Sequence, residues 1–272
     1  MESVREYVDS QLAQGRGFFT KLAALAATSR TPQAFQQAAA RLAKKGWIVS
    51  PRRGFYLILR PEDRALGAPD PARWIDPLMK HLKTDYRISL LRAAAFHGSA
   101  HQPAMVFQVI SPRQLPAIEI GRQRVEFVFQ SKDAFVKANR PEWLAQLKTD
   151  AGFAKVAGLE LTLLDVCRYF HQAAGINGAA QAVHDLGKNS DARILATAAG
   201  AYENSAVRRL GYLLERFGYH RQANALRPFA EKAKSFKALD PSVKPIVPEL
   251  AAREEKNHAW KLLINVPVEI DA

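Results

Sequence analysis

One arrangement near the start of the chain constrains the fold more than any other feature. Thr31-Pro32 is a helix start, a Thr cap followed by proline at the first helical position, and the helix runs to Lys45 and is closed by Gly46. Directly behind it lie two β-prone runs, Trp47-Ile48-Val49 and Phe55-Tyr56-Leu57-Ile58, separated by the turn-forming segment Ser50-Pro51-Arg52-Arg53-Gly54. Ahead of it, Val4, Tyr7, Val8 and Leu12 recur at helical spacing as far as Gly15 and Gly17. Phe18, Phe19, Leu22 and Leu25 are expected to continue into a second short helix ending near Thr28 and Ser29. Three helices followed by a hairpin is the order of a winged helix.

The stretch Arg60-Pro-Glu-Asp-Arg-Ala-Leu-Gly-Ala-Pro-Asp-Pro71 is rich in proline and small residues and reads as an interdomain linker. With 272 residues, two domains are the default expectation. The predicted division is a winged helix-turn-helix domain over 1–64 and a mixed domain over 72–272, an α+β chain as a whole. Beyond the linker, Trp74–Leu82 and Ile88–His97 look helical, whereas Ala104–Ile110, Ala117–Ile120 and Arg124–Gln130 look like strands. From Leu161 onward helices dominate, over Leu163–Ala173, Ala179–Leu186, Ala192–Ala201, Ser205–Phe217 and Ala223–Ser235, and a strand over Trp260–Val266 closes the pattern.

Net charge is +13, which points to a polyanionic partner, because such a field attracts phosphate and releases counterions on contact. The charge is uneven. Residues 1–64 carry 11 Lys/Arg against 5 Asp/Glu, a net of +6, and the remaining 208 carry 28 against 21, a net of +7. Charge density is therefore about three times higher in the first segment. No apolar run approaches the ~20 residues needed to cross a bilayer, and the acids in the first turns do not fit a secretory signal. A single cysteine, Cys167, excludes an internal disulfide framework and a cysteine-rich zinc site. A soluble protein of the reducing cytoplasm, without membrane contact, is the expectation.

At ~100° per residue the helix from Pro32 separates into two faces. Phe35, Ala38, Ala39 and Leu42 form a core stripe; Gln33, Gln36, Gln37, Ala40 and Lys44 fall opposite, with Arg41 at the shoulder. Such a surface can enter a major groove: Gln pairs with adenine edges, Arg or Lys with guanine, and Ala meets a thymine methyl. A solvated helix face gives the same pattern. Arg52 and Arg53 at the hairpin tip favour the groove, since a wing there would lie along the phosphate backbone, with Lys21, Arg30 and Lys45 supplying further phosphate contacts. The candidate DNA-contacting residues are Lys21, Arg30, Gln33, Gln37, Arg41, Lys44, Arg52 and Arg53.

The remainder offers no comparable chemistry. His97 and His101 have metal-like i, i+4 spacing, but Gly98 and Pro103 point to a helix ending there, so capping or packing is the better reading. Cys167 sits in the apolar run Leu163-Leu164-Asp165-Val166 and reads as a packing residue. Gly98-Ser99 is the kind of entry a nucleotidyltransferase site has, yet no Asp-x-Asp pair follows to hold magnesium. No catalytic residue, metal site or cofactor is predicted.

With these residues in view, the chain resembles the AbiEi-type antitoxins, abortive-infection regulators of bacterial type IV toxin–antitoxin systems. The resemblance is carried by Gln37-Ala-Ala-Ala-Arg-Leu-Ala-Lys-Lys-Gly46, Pro51-Arg-Arg-Gly-Phe-Tyr56, Tyr86-Arg-Ile-Ser-Leu-Leu-Arg-Ala-Ala-Ala-Phe-His-Gly-Ser-Ala-His-Gln102, Thr162-Leu-Leu-Asp165 and Val207-Arg-Arg-Leu-Gly-Tyr-Leu-Leu214, most of residues 15–220. It implies a non-enzymatic protein whose N-terminal domain binds inverted repeats in its own promoter and represses it. It implies a C-terminal domain that contributes to promoter binding and neutralises a co-encoded nucleotidyltransferase toxin without a stable complex. Two competitors remain: a one-component winged-helix transcription factor with a ligand-sensing C-terminal domain, and a winged helix fused to a nuclease or nucleotidyltransferase. The second is weakened by the missing carboxylate pairs that two-metal phosphoryl chemistry needs.

Overall fold

In the computed structural model, residues 3–99, 106–244 and 255–270 are described. The chain opens with α1 (Val4–Ala13), started by a capping box in which Glu6 N donates to Ser3 Oγ (3.1 Å) and Ser3 N donates to Glu6 Oε2 (2.7 Å). A short strand β1 (Phe18–Thr20), α2 (Lys21–Thr28), α3 (Pro32–Lys44), and strands β2 (Ile48–Arg52) and β3 (Phe55–Ile58) follow. Thr20 and Thr31 cap α2 and α3, accepting from Ala23 N (3.2 Å) and Ala34 N (3.3 Å). The three strands form an antiparallel sheet in the order β1-β3-β2, with Phe18 opposite Leu57, Val49 also opposite Leu57, and a bulge between Val49 and Arg52. Val4, Val8, Phe19, Phe35, Leu42, Ile48 and Ile58 close the core between helices and sheet.

Phe18 and Phe19 depart from the expectation of a second helix beginning there. Gly17 separates them from α1, and as a strand they stack on the rings facing them from β3, Phe18 on Phe55 at 5.5 Å and Phe19 on Tyr56 at 5.1 Å. The helix waits for the Thr20 cap. Leu22, expected in its core stripe, is instead 79% exposed.

Contacts divide the chain into two compact units. The first unit comprises Met1–Arg87, Met105–Gln130 and Gln146–Lys155; the second comprises Ile88–Ala104, Ser131–Ala145 and Val156–Ala272. The proline-rich stretch expected to act as a linker is packed into the first unit. Asp63 is buried against Arg73 (3.2 Å), Ala68 is fully enclosed, and Trp74 Nε1 donates to Pro69 O (3.0 Å). Gly67 and Gly121 touch backbone to backbone, since a Cβ on Gly121 would lie 2.2 Å from Leu66 O. Both have positive φ, so side chains are excluded twice over.

The first unit continues with α4 (Ile75–His81) and strands β5 (Phe107–Ser111), β6 (Ile118–Ile120) and β7 (Gln123–Phe129); between α4 and β5 the chain forms the two-residue strand β4 (Arg87–Ile88) and passes through α5 (Leu90–Phe96) of the second unit. β5 runs parallel to β7, Phe107 opposite Val125 through Ser111 opposite Phe129, and β6 pairs antiparallel with β7. The hairpin of β8 (Leu144–Thr149) and β9 (Gly152–Ala157) was not legible in the sequence, nor was α6 (Lys132–Ala138). Ile88 pairs in parallel with Val156.

The second unit is mainly helical: α5, α6, α7 (Leu159–Arg168), α8 (Gly175–Leu186), α9 (Ala192–Ala199), α10 (Asn204–Arg216) and α11 (His220–Glu231). A small sheet in the order β10-β12-β11 gathers β10 (Lys237–Ala238), β11 (Glu255–Asn257) and β12 (Leu262–Ile264). Buried Asp165 organises the helices, accepting from Ser89 Oγ (2.6 Å) and Tyr202 OH (2.7 Å). Buried Arg209 donates to the Cys167 and Leu239 carbonyls at 2.7 and 2.8 Å. No described helix is long and apolar enough to cross a membrane.

Candidate nucleic-acid interface

α3 sorts its residues as its periodicity demands. Phe35, Ala39 and Leu42 are buried, Ala38 is half-buried, and Gln33, Gln36, Gln37, Ala40, Arg41 and Lys44 are exposed. Gln33, Gln37, Ala40, Arg41 and Lys44 therefore form a continuous solvent-facing stripe of hydrogen-bonding and cationic groups, interrupted only by one methyl. Arg41 Nε donates to Gln37 O at 3.3 Å, which lays the guanidinium back along the stripe. Arg30, exposed in the loop before the Thr31 cap, and Lys44 and Lys45 at the other end place cations beyond both ends of the row.

The β2–β3 turn lies next to Lys21. Lys21 N donates to Gly54 O at 2.8 Å, and Gly54 takes φ +80°, which glycine alone adopts without strain. His81, at the end of α4, supports the same turn: Nε2 donates to Arg53 O (3.2 Å) and its ring lies 5.5 Å from that of Phe55. Nothing in the sequence points to this role, because His81 is separated from Arg53 by a linker and a helix. Arg53 is exposed at the tip, with its backbone so held.

Arg52 is placed differently from its neighbour. Its side chain is half-buried, reaches the Pro116 carbonyl through Nη2, and lies 3.5 Å from the Ala117 carbonyl and 6.0 Å from the centre of the Phe127 ring. Burial lowers its guanidinium pKa from the ordinary value. Arg52 thus fastens the turn to the rest of the first unit, which a free phosphate contact would not do. Arg52→Ala is expected to cost roughly 1.5–3 kcal/mol of stability, the range for hydrogen bonds to charged groups. Urea denaturation of the full chain measures this; an unchanged midpoint would contradict the fastening role.

Trp47, at the base of β2, is covered by Arg5, whose guanidinium carbon lies 3.4 Å from the ring centre, and by Arg64 at 5.4 Å. These two cations are engaged with the fold, so the positive charge of the first segment is only partly available to a ligand.

The remaining candidate residues are structural in their surroundings. His97 Nε2 donates to Ala157 O at 2.7 Å; His101 lies outside the described residues. Ser99 Oγ donates to Asp185 Oδ2 at 2.5 Å. Among the described residues no group of three His, Cys, Asp or Glu side chains could hold a metal ion. Cys167 is wholly buried, and burial pushes its thiol up to about 12. It is expected to resist an aromatic disulfide reagent at pH 8 in the native protein and to react at once in denaturant; rapid native labelling would show that the helices around it open readily.

Residues 87–216, just under half of the chain, match the family model of the AbiEi antitoxin C-terminal domain. No curated protein gives a significant match. Among solved structures, the Rv2827c protein from Mycobacterium tuberculosis is similar, with a TM-score of 0.65 at 18% sequence identity, over 96% of this chain and 90% of that one. At that identity the likeness is one of fold. The matched segment contains Tyr86–Gln102 almost entirely, Thr162–Asp165 with its buried Asp165, and the Arg208-Arg209 pair of α10. Over residues 87–216 the chain is thus similar to the C-terminal domain of the AbiEi-type antitoxins.

Proposed function

We propose that the chain is the antitoxin of a type IV toxin–antitoxin system and represses its own promoter. Residues 1–64 act as a winged helix-turn-helix domain, with α3 as the recognition helix and the β2–β3 turn as the wing. Within 72–272, the AbiEi domain counteracts a co-encoded nucleotidyltransferase toxin without a stable complex between the two. The promoter carries inverted repeats, and both partners meet in the cytoplasm.

The observation that carries this reading is the exposed row Gln33, Gln37, Arg41 and Lys44 on α3, beside a turn that presents Arg53. The amide and guanidinium groups suit base edges in the major groove. Lys21, Arg30 and Arg53 suit phosphates on either side, as a wing and the loops of a winged helix do. The antitoxin role is supported by the family match over 87–216.

Co-expression tests the division of labour. Antitoxin and toxin are supplied from unrelated promoters while a promoter–reporter fusion is read in the same cells. Gln37→Ala with Arg53→Ala should derepress the reporter and leave growth protected. Loss of protection in step with repression, at equal protein level, would refute the division.

A further inference from the structure

We infer that the N-terminal end of α10 and the lysines facing it form a binding site for a phosphate monoester dianion, either inorganic phosphate or the phosphate of a mononucleotide. The site belongs to the second unit and is independent of groove reading by α3.

α10 begins without a side-chain cap. Ala206 N and Val207 N donate back to Glu203 O at 3.0 and 3.2 Å, while the amides of Asn204 and Ser205 have no acceptor among the described residues. Glu203, whose carboxylate could have neutralised this end, is turned to Arg168 Nη2 at 2.7 Å. The positive end of a 13-residue helix is therefore open to an acceptor from outside.

One turn further in stands Arg208, only 3% exposed. Its Nη1 donates to the Ser235 and Lys261 carbonyls at 3.0 and 2.9 Å, but among the described residues Nε is buried without a partner and Nη2 makes no hydrogen bond. A buried guanidinium so incompletely satisfied is costly, and burial lowers its pKa from the ordinary value. The same side chain lines a cavity of about 450 Å³ together with Ser205, Lys232, Lys234 and Lys237. None of these three lysines forms an ion pair among the described residues. Among the described residues four cations thus line the cavity with one carboxylate, Glu203, already paired.

The donor set selects the ligand. Helix amides, a serine hydroxyl, a guanidinium and ammonium groups line one cavity, a donor set that a tetrahedral dianion satisfies better than a planar carboxylate. Among the described residues no aromatic side chain lines the cavity, so the phosphate itself is what the site recognises.

Isothermal titration calorimetry on the full chain in chloride buffer tests this, with inorganic phosphate and adenosine monophosphate as probes. Both should bind saturably at one site per chain. Lys232→Gln with Lys237→Gln, at exposed positions, should weaken both by tenfold or more while circular dichroism stays unchanged. Arg208→Lys should weaken both as well, and Arg53→Glu should change neither. Tighter binding of the nucleotide than of phosphate would mark a nucleotide as the ligand; equal binding would mark phosphate alone. The proposal fails if neither probe gives saturable heat, if the lysine variant titrates as wild type, or if duplex DNA displaces phosphate. Loss of operator binding by α3 variants leaves it untouched.

Discussion

Reversing Lys44 and Arg53 together, Lys44→Glu with Arg53→Glu, is expected to abolish binding to the promoter while leaving the fold intact. Both side chains are exposed and neither forms an ion pair among the described residues. Their removal leaves no buried partner stranded. On DNA each would neutralise a phosphate; reversal forfeits that counterion release and sets a carboxylate against the backbone. The loss at low salt should be on the order of a hundredfold or more. Residual affinity of wild-type magnitude would place the DNA surface elsewhere. Arg52, by contrast, should affect stability first, since its guanidinium is spent on backbone carbonyls of 116 and 117. The two neighbouring arginines are expected to separate cleanly, one in the binding assay and one in the unfolding assay.

The second large effect concerns stability at the α10–tail contact. Gly211 lies flat beneath Trp260: a Cβ there would sit 2.1 Å from Trp260 Cζ3. The indole is wholly buried, donates through Nε1 to Glu215 Oε2 at 2.7 Å, and is covered by Arg227, whose guanidinium carbon lies 4.6 Å from the ring centre and which pairs with Glu215. Trp260→Ala should cost roughly 3–5 kcal/mol, as removal of a buried indole does. Gly211→Ala should cost about 1–3 kcal/mol or more, because the ring cannot retreat without breaking the Glu215 bond. The pair must be non-additive: with the indole gone, the added methyl has room. Urea unfolding of both single variants and the double variant measures the coupling. Additive costs would mean that the tail does not rest on α10 in solution.

The legible parts of the fold are those encoded locally. α3 could be read residue by residue because Thr31-Pro32, the 3.6-residue period and Gly46 all lie within one stretch of chain, and the exposed row followed from the period alone. β1 could not, because Phe18 and Phe19 are made a strand by Phe55 and Tyr56, which reach them only through the fold. The 61–71 stretch shows the same limit. Proline and glycine there signal turns truthfully, but the turns are packed, and the close approach that requires Gly67 is made by Gly121. Arg52 and His81 are the same lesson at the site. Arg52 finds its acceptors 64 and 65 residues away, and His81 reaches Arg53 across 28. Composition predicted cations at the turn, but only the packing distinguishes the one that remains available. In the second unit the motifs that carry the resemblance mark structural positions, Asp165 and Arg209 among them, which is why they point to a likeness and to no chemistry.

On the proposed function, α3 reads sequence while the cations around it hold phosphate. Fluorescence anisotropy of the full chain on its own upstream region, and on a scrambled duplex of equal length, tests it most directly across a salt series. Wild type should prefer the upstream region, and affinity for both duplexes should fall steeply with salt. Gln37→Ala should lose roughly 1–3 kcal/mol on the specific duplex only, with an unchanged salt slope. Equal losses on both duplexes, or no preference by wild type at any salt, would contradict the assignment of α3 as the reading helix.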